Sequence, residues 1–592
     1  MLSFLNLLRA LVAATAVSFK SQQNVSADIE LPTFFANDMV LQRGNASIWG
    51  RCPEQAAVEL TVMAGGTVVF RAGVTSDANG QFTIPVLGVG AQNSTTVIIN
   101  STSSTTDVTL YNVAFGDVYL CSGQSNMEYP VANAFNGADE RAHHAHFPHL
   151  RLLTVARAQT SAPATDASSL APYVWGVSAP ENISPRVNGS FGTPYPSAVC
   201  FFAVRELLRD PPGAPRQRFP IGIITITVGG TPIEAWSSAF SILDGTPSVY
   251  GGNGTCGGTV PPPNASHRPA NGNGTCNPHS RGASSLYNGM IAPFLPMRIS
   301  AILWYQGEAN DHKDNACYGP TWYRCLFPSM IQHWRSAFRA PKLPFVYVLL
   351  AGGHTAVMRE AQYQGAGKIP LTGFASAMDL GAFGHEYLVP GHPPRKQEVG
   401  RRLSLLLRDL VYGPDHTVSP QSRGPRVSEE AVTVTQEVTD QAIRTRETMT
   451  TTTAKIPFEL AQNVRGSLHL NGTGSCPVAT KSAEACCNNN TDHSSHLVAF
   501  ADPDDREAGI FPAGKVVVDA SANTIVATLV SAQFGVTAHN RVEVRFMFDN
   551  NPSCALYAGA LSGPDSVYAT HPHFGLPAEM WRGVVAVTTN QL

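Results

Sequence analysis

Four polar segments of this 592-residue chain carry the residue types that acyl transfer needs. The first is Cys121-Ser122-Gly123-Gln124-Ser125-Asn126-Met127-Glu128, in which a serine follows a glycine where a strand passes into a helix. At such a turn the hydroxyl is exposed and the helix N-terminus favours negative charge, so Ser125 could attack a carbonyl while its own N–H holds the oxyanion. It is not the G-x-S-x-G elbow, because Met127 replaces the second glycine. The second segment, Gly229-Gly230-Thr231-Pro232-Ile233-Glu234-Ala235-Trp236, has a glycine pair whose backbone can approach a ligand and present an N–H. The third, Trp304-Tyr305-Gln306-Gly307-Glu308-Ala309-Asn310-Asp311, crowds polar groups behind a buried strand. The Asn310 amide can donate to an oxyanion, whereas Asp311 reads as a solvated loop acid. The fourth, Gly391-His392-Pro393-Pro394-Arg395-Lys396, fixes a histidine just before a helix-initiating proline, a suitable place for a general base. Asp379 closes the strand before it, and His385 reads as a loop residue. Together these supply a nucleophile, three oxyanion donors and a base.

Such groups must be brought to one edge by the elements that precede them. Continuous apolar runs at Val118–Cys121, Ile221–Val228, Ile299–Trp304, Phe345–Leu350 and Gly373–Met378 read as strands buried on both faces. Helical stretches accompany them at Ala198–Arg209, Trp322–Phe338, Ala356–Gln364 and Lys396–Leu410, the last with Val399, Leu403, Leu406, Leu407 and Leu410 on one face. The pattern predicts an α/β domain over 116–413, three layers deep, with five or more parallel strands. Ligands of such a sheet bind beyond the carboxyl ends of its strands, where all four segments fall. Residues 28–115 show short β runs (Ala57–Val62, Thr67–Phe70, Gln81–Val86, Thr96–Asn100) and predict a small β-sandwich. Residues 414–592 return to β runs at Ala431–Val434, Lys515–Val518, Thr524–Leu529 and Arg541–Phe548, with Thr448–Thr453 as a polar loop. The Gly-, Pro- and Asn-rich stretch at about 245–283 reads as a surface insertion.

Composition narrows the function. With 43% hydrophobic and 14% charged residues the chain can bury sizeable cores, and its length suits about two to four domains. A net charge of −3 gives no electrostatic footprint for nucleic acid, and no apolar run is long enough to span a bilayer. Residues 1–18 have the short apolar stretch and small-residue end of a secretory signal peptide. N-x-S/T acceptors at Asn24, Asn45, Asn93, Asn100, Asn182, Asn188, Asn253, Asn264, Asn273, Asn471 and Asn489, with eleven cysteines, point to the same route, extracellular or lysosomal. Cys317/Cys325 and Cys256/Cys276 bracket short loops and suit local disulfides; Cys476, Cys486, Cys487 and Cys554 could pair among themselves, and an odd count leaves one thiol over. No Cys/His spacing argues for zinc, so neither metal nor organic cofactor is expected.

The blocks Gly116–Met127, Gly229–Trp236, Trp304–Asn310 and His392–Lys396, with Met39-Val40-Leu41-Gln42-Arg43, resemble the sialate O-acetylesterases over roughly residues 30–412. These are SGNH-superfamily hydrolases that remove O-acetyl groups, notably 9-O-acetyl, from sialic acids. The resemblance implies an SGNH-like three-layer α/β/α domain flanked by β domains, with O-acetylated sialoglycans as partners. It carries the nucleophile to Ser125, the base to His392, and the oxyanion donors to Gly229 or Gly230 and to Asn310. Gln124, Glu234, Trp236, Gln306 and Glu308 would then shape the sugar pocket. One departure stands out. The family usually sets an acid two or three residues before the histidine, and here those positions are Val389 and Pro390. Either Asp379 or Glu386 orients the imidazole, or a Ser-His dyad acts alone, or the chain is an impaired homologue. An esterase for another acetylated polysaccharide such as xylan, or a glycan-binding module without chemistry, would share much of this pattern.

Overall fold

The structure is a computed structural model. It describes residues 28–418, apart from 168–174, 184–194, 209–218, 244–281, 312–318, 352–353, 368 and 381–390, and beyond 418 the strands named below. Residues 1–18, expected to be a signal peptide, and nearly all of the 245–283 stretch, expected to be a surface insertion, therefore lie outside the described residues.

The first strands are β1 (Val40–Gln42), β2 (Asn45–Arg51), β3 (Ala57–Ala64), β4 (Thr67–Thr75), β5 (Gln81–Leu87) and β6 (Gln92–Ser101). Alternation in β5, with Phe82, Ile84 and Val86 inward, turns one face to a core that also takes Trp49, Ile48 and Leu60. Strands β2 and β5 pair as one ribbon, while β4, β3 and β6 form an antiparallel sheet that continues into β7 (Val108–Gly123). The 115/116 boundary falls inside β7. The first part of that 16-residue strand pairs with β6, and its second part becomes the centre of the next sheet. Buried Asp117 fastens the two regions: it takes an ion pair from Arg43 at 2.9 Å and hydrogen bonds from Gln42 and, at 2.7 Å, the Tyr412 hydroxyl.

The central sheet adds β8 (Phe147–Thr154), β9 (Gly176–Ser178), β10 (Ile221–Thr227), β11 (Ala301–Tyr305), β12 (Phe345–Leu349) and β13 (Thr372–Ser376). Its order is β13-β12-β11-β7-β10-β8-β9, parallel throughout except for β9. This is the expected α/β architecture. Strand β8 was not legible, because Pro148 and Arg151 interrupt its apolar character. Arg151 is nevertheless buried, its two terminal nitrogens donating to the carbonyls of Met39, Asn93 and Asn112, so backbone acceptors from the N-terminal β region offset much of the cost of burying it in the sheet.

Short helix α1 (Ser125–Glu128) follows β7, and α2 (Ala198–Leu208), α3 (Pro320–Ala337), α4 (Ala356–Ala366) and α5 (Lys396–Leu407) cover the sheet. Helices α2 and α5 pack together, as do α3 and α4. Trp304 on β11 meets Trp334 of α3 edge-on at 5.7 Å and Trp236 at 6.1 Å, and Trp334 Nε1 donates to the Trp236 carbonyl. That aromatic contact locks the loop after β10 onto the sheet. No helix among the described residues is long and apolar enough to cross a membrane.

A disulfide joins Cys121 of β7 to Cys200 of α2, 79 residues apart. Spacing could not announce it, since only the packing of α2 on β7 brings the two together. Cys325 is also disulfide-bonded, and Cys52 is free and buried. Closing a loop of that length stabilises by about 4 kcal/mol in the chain-entropy account. A Cys121→Ala/Cys200→Ala variant should therefore melt roughly 5 °C lower by circular dichroism. Melting that is unchanged by the double substitution, and by reductant in the parent, would contradict it.

Beyond 418, a nine-stranded sheet places Thr448–Glu459 between Thr433–Asp440 and Thr524–Ser531, antiparallel to both. The threonine run expected as a loop is thus a strand. β-Branched side chains favour the pleated backbone, and the polar hydroxyls hid that preference from a reading based on hydrophobicity.

Candidate active site

Parallel order puts β10, β7 and β11 side by side, so the loops after them open onto one rim. Strand β7 ends at Gly123, whose φ of +142° suits glycine, and a Cβ there would lie 2.1 Å from the Tyr305 carbonyl oxygen. The missing side chain lets β11 close on β7 as the chain turns into α1. Ser125 is the first residue of that helix. Its Oγ lies 2.6 Å from His392 Nε2, although the two residues are 267 positions apart. The prolines after His392 lead into α5, which is seated on the sheet by Val399, Leu403 and Leu406.

The imidazole is held neutral. Burial chiefly, then the positive charge of Lys396 and then that of His354, pushes His392 down to about 4. Nε2 is thereby available to accept a proton from the serine at ordinary pH. Of the expected orienting acids, Asp379 falls in the turn Met378–Leu380 after β13; its side chain, and Glu386 and His385, lie outside the described residues.

The oxyanion candidates differ in what they already bond. The Gly229 N–H donates to Glu128 Oε2 at 3.1 Å, and Arg157 pairs with the other Glu128 oxygen. Gly230 has a φ of +72°, and nothing stands within 4 Å of where its Cβ would be. Its N–H donates to no group among the described residues. Asn310 is fully buried; its Oδ1 accepts from Ile233 N and Gln306 Nε2, and its Nδ2 donates to Glu234 Oε2 at 3.0 Å. These bonds fix the amide and leave its second N–H for an incoming acceptor.

Several of the residues expected to shape the sugar pocket are instead buried and bonded to one another's loops. Gln124 accepts from the Ala309 N–H and Gln306 Nε2, and Gln306 also donates to the Thr231 carbonyl. Glu234 and Trp236 are both fully buried, with Trp236 Nε1 on Thr231 Oγ1 at 2.9 Å. Hydrogen bonding thus clamps the loops after β7, β10 and β11 to one another. Glu308 is half-buried; one oxygen accepts from Asn126 at 2.5 Å and the other has no hydrogen-bond partner among the described residues.

Asp311 is not a solvated acid. It accepts from the Thr355 N–H and hydroxyl and meets His354 Nδ1 at 3.2 Å. Burial opposes its ionisation, but those bonds outweigh it and hold its pKa below the usual carboxylate value. Burial likewise works to lower His354, but Asp311 and Glu308 raise it overall. His354 lies beyond β12, at the same carboxyl edge as the other segments, and that position was the signal available for it. Lys396 and Asn126 were also passed over. Lys396 begins the stripe that Val399, Leu403 and Leu406 continue, so a cation on a buried helix face was legible.

The family model described as carbohydrate esterase, sialic acid-specific acetylesterase, matches residues 268–393. The sialate O-acetylesterase of Homo sapiens is 31% identical over 411 residues, which cover 64% of this chain and 71% of that protein; the Pongo abelii protein matches to the same extent. This chain belongs to the sialate O-acetylesterase family. As a member it is a carboxylic-ester hydrolase. A novel carbohydrate acetylesterase from Xanthomonas citri, 23% identical, superposes with a TM-score of 0.64 over 94% of this chain and 99% of its own, which supports the same fold.

Proposed function

We propose that this esterase removes O-acetyl groups from sialic acids, the 9-O-acetyl group among them, through an acetyl-serine intermediate. The observation that carries the reading is the 2.6 Å contact between Ser125 Oγ and His392 Nε2 at the rim where the three clamped loops meet. His392 Nε2 takes the serine proton as Oγ attacks the acetyl carbonyl. The oxyanion is received by the Ser125 N–H, by the glycine turn through Gly230, and by the Asn310 amide; each such donor lowers the barrier by about 2.7–4 kcal/mol. His392 then returns the proton to the departing sugar hydroxyl, and water attacks the acetyl-enzyme by the reverse route. Export through the secretory route is part of the proposal; the features of residues 1–18 and the Cys121–Cys200 disulfide favour an oxidising compartment.

A hydrolysis panel tests the substrate class. Free acetate is measured from 9-O-acetylated N-acetylneuraminic acid and from acetylated xylan at matched acetyl concentration. The sialic acid should be the better substrate by at least about tenfold in kcat/KM, a difference of about 1.4 kcal/mol in transition-state binding. Equal rates, or a preference for xylan, would refute it.

A further inference from the structure

Lys396 is fully buried, yet it carries a titratable amine. Its Nζ donates to Asn126 Oδ1 and lies 4.7 Å from the centre of the Tyr129 ring and 5.2 Å from that of Tyr305. The other end of the same amide, Asn126 Nδ2, donates to Glu308 Oε1 at 2.5 Å and to the Gly391 carbonyl at 2.7 Å. One asparagine next to the serine therefore joins the loop after β11, the backbone just before His392 and the start of α5. Burying an ammonium costs several kcal/mol after relaxation, and an apolar side chain of similar volume often serves as well or better for stability. Packing alone does not account for a charge at this place.

We propose that Lys396 is a positioning residue of this esterase: through Asn126 it holds the His392 loop against the nucleophile turn, and from the first residue of α5 it sets a positive charge beside the imidazole. The proposal rests on the serine mechanism above. The charge faces Asn126 and Tyr129 from the nucleophile segment and Tyr305 and Glu308 from β11 and its loop, and it acts on His392, which His354 from the segment after β12 also faces. Among the described residues Lys396 makes no direct ion pair; the Asn126 amide stands between it and Glu308. The charge is thus incompletely neutralised and remains felt at His392. Burial lowers Lys396 to about 7 against the opposing pull of Glu308, so the amine is charged below neutrality, where protonation of His392 would end catalysis. A positive neighbour disfavours the imidazolium, which extends the active, neutral form to lower pH.

The experiment is the pH profile of kcat/KM for an aryl acetate, measured on the full chain and on Lys396→Met and Lys396→Arg. Removing the charge should move the acid limb to higher pH by about one unit, with the arginine returning it towards the parent position. Loss of activity with the limb unmoved would make Lys396 a packing residue and overturn the proposal. A readout on the unsubstituted protein covers the case in which a variant fails to fold. Burial of the imidazole chiefly, with Lys396 adding to it, should place the acid limb of fluorophosphonate labelling below about pH 5.5. A limb at the ordinary imidazole value of 6.5 overturns the proposal whatever the variants do. Turnover that survives Ser125→Ala overturns this proposal and the serine mechanism together, whereas an inactive Ser125→Ala with an unmoved limb overturns this one alone.

Discussion

Ser125→Ala should lower kcat/KM for an aryl acetate by about ten-thousand- to a million-fold while leaving the melting temperature within a degree or two, about the loss seen when the nucleophile of a catalytic group is removed. The fold is spared because, among the described residues, the Ser125 hydroxyl has His392 Nε2 as its one hydrogen-bond partner, and alanine keeps the Cβ that lies beside Gly229. His392→Ala should cost nearly as much, and the double variant little more than either, because serine and imidazole act as one unit. A fluorophosphonate that labels the parent should not label Ser125→Ala. Undiminished turnover in that variant would remove Ser125 from the mechanism.

Gly123→Ala should do the most damage to the scaffold. A methyl at this position meets the Tyr305 carbonyl oxygen at 2.1 Å and takes a φ of +142° that L residues rarely adopt. The obstacle is backbone, at the carboxyl end of the β10-β7-β11 register, where Gly123 stands opposite both Thr227 and Tyr305. No rotamer change relieves it. Either β11 separates from β7, or the turn into α1 shifts and carries Ser125 away from His392. Destabilisation of about 3–5 kcal/mol is expected, at the upper end for a single substitution, with a fall in melting temperature of roughly 5–8 °C and loss of esterase activity. A variant that melts with the parent and hydrolyses at its rate would show that the strands can part there without cost.

The central sheet was legible because strands buried on both faces read as unbroken apolar runs, as in Ile221–Thr227 and Phe345–Leu349. Strand β8 escaped the same criterion because Arg151 is buried through carbonyls contributed from Met39, Asn93 and Asn112. The threonine-rich strand Thr448–Glu459 escaped it through its polarity. In the site, Ser125, the glycine pair, Asn310 and His392 were each visible as polar residues just past such runs. His354 would have joined them had the segment after β12 been weighed in the same way.

By itself the sequence determined which side chains stand at the carboxyl ends of the strands, because the periodicity that makes a strand also dates its end. The tertiary structure decided which of those groups meet and which are already engaged. Gly229 is bonded to Glu128, the Asn310 amide is pinned by Glu234, and Lys396 reaches Asn126 across a separation of 270 residues. The physical reason is that local sequence sets backbone direction over a few residues. The partner of a buried polar atom is instead fixed by strand order, and here the order β10-β7-β11 gathers loops that lie far apart along the chain.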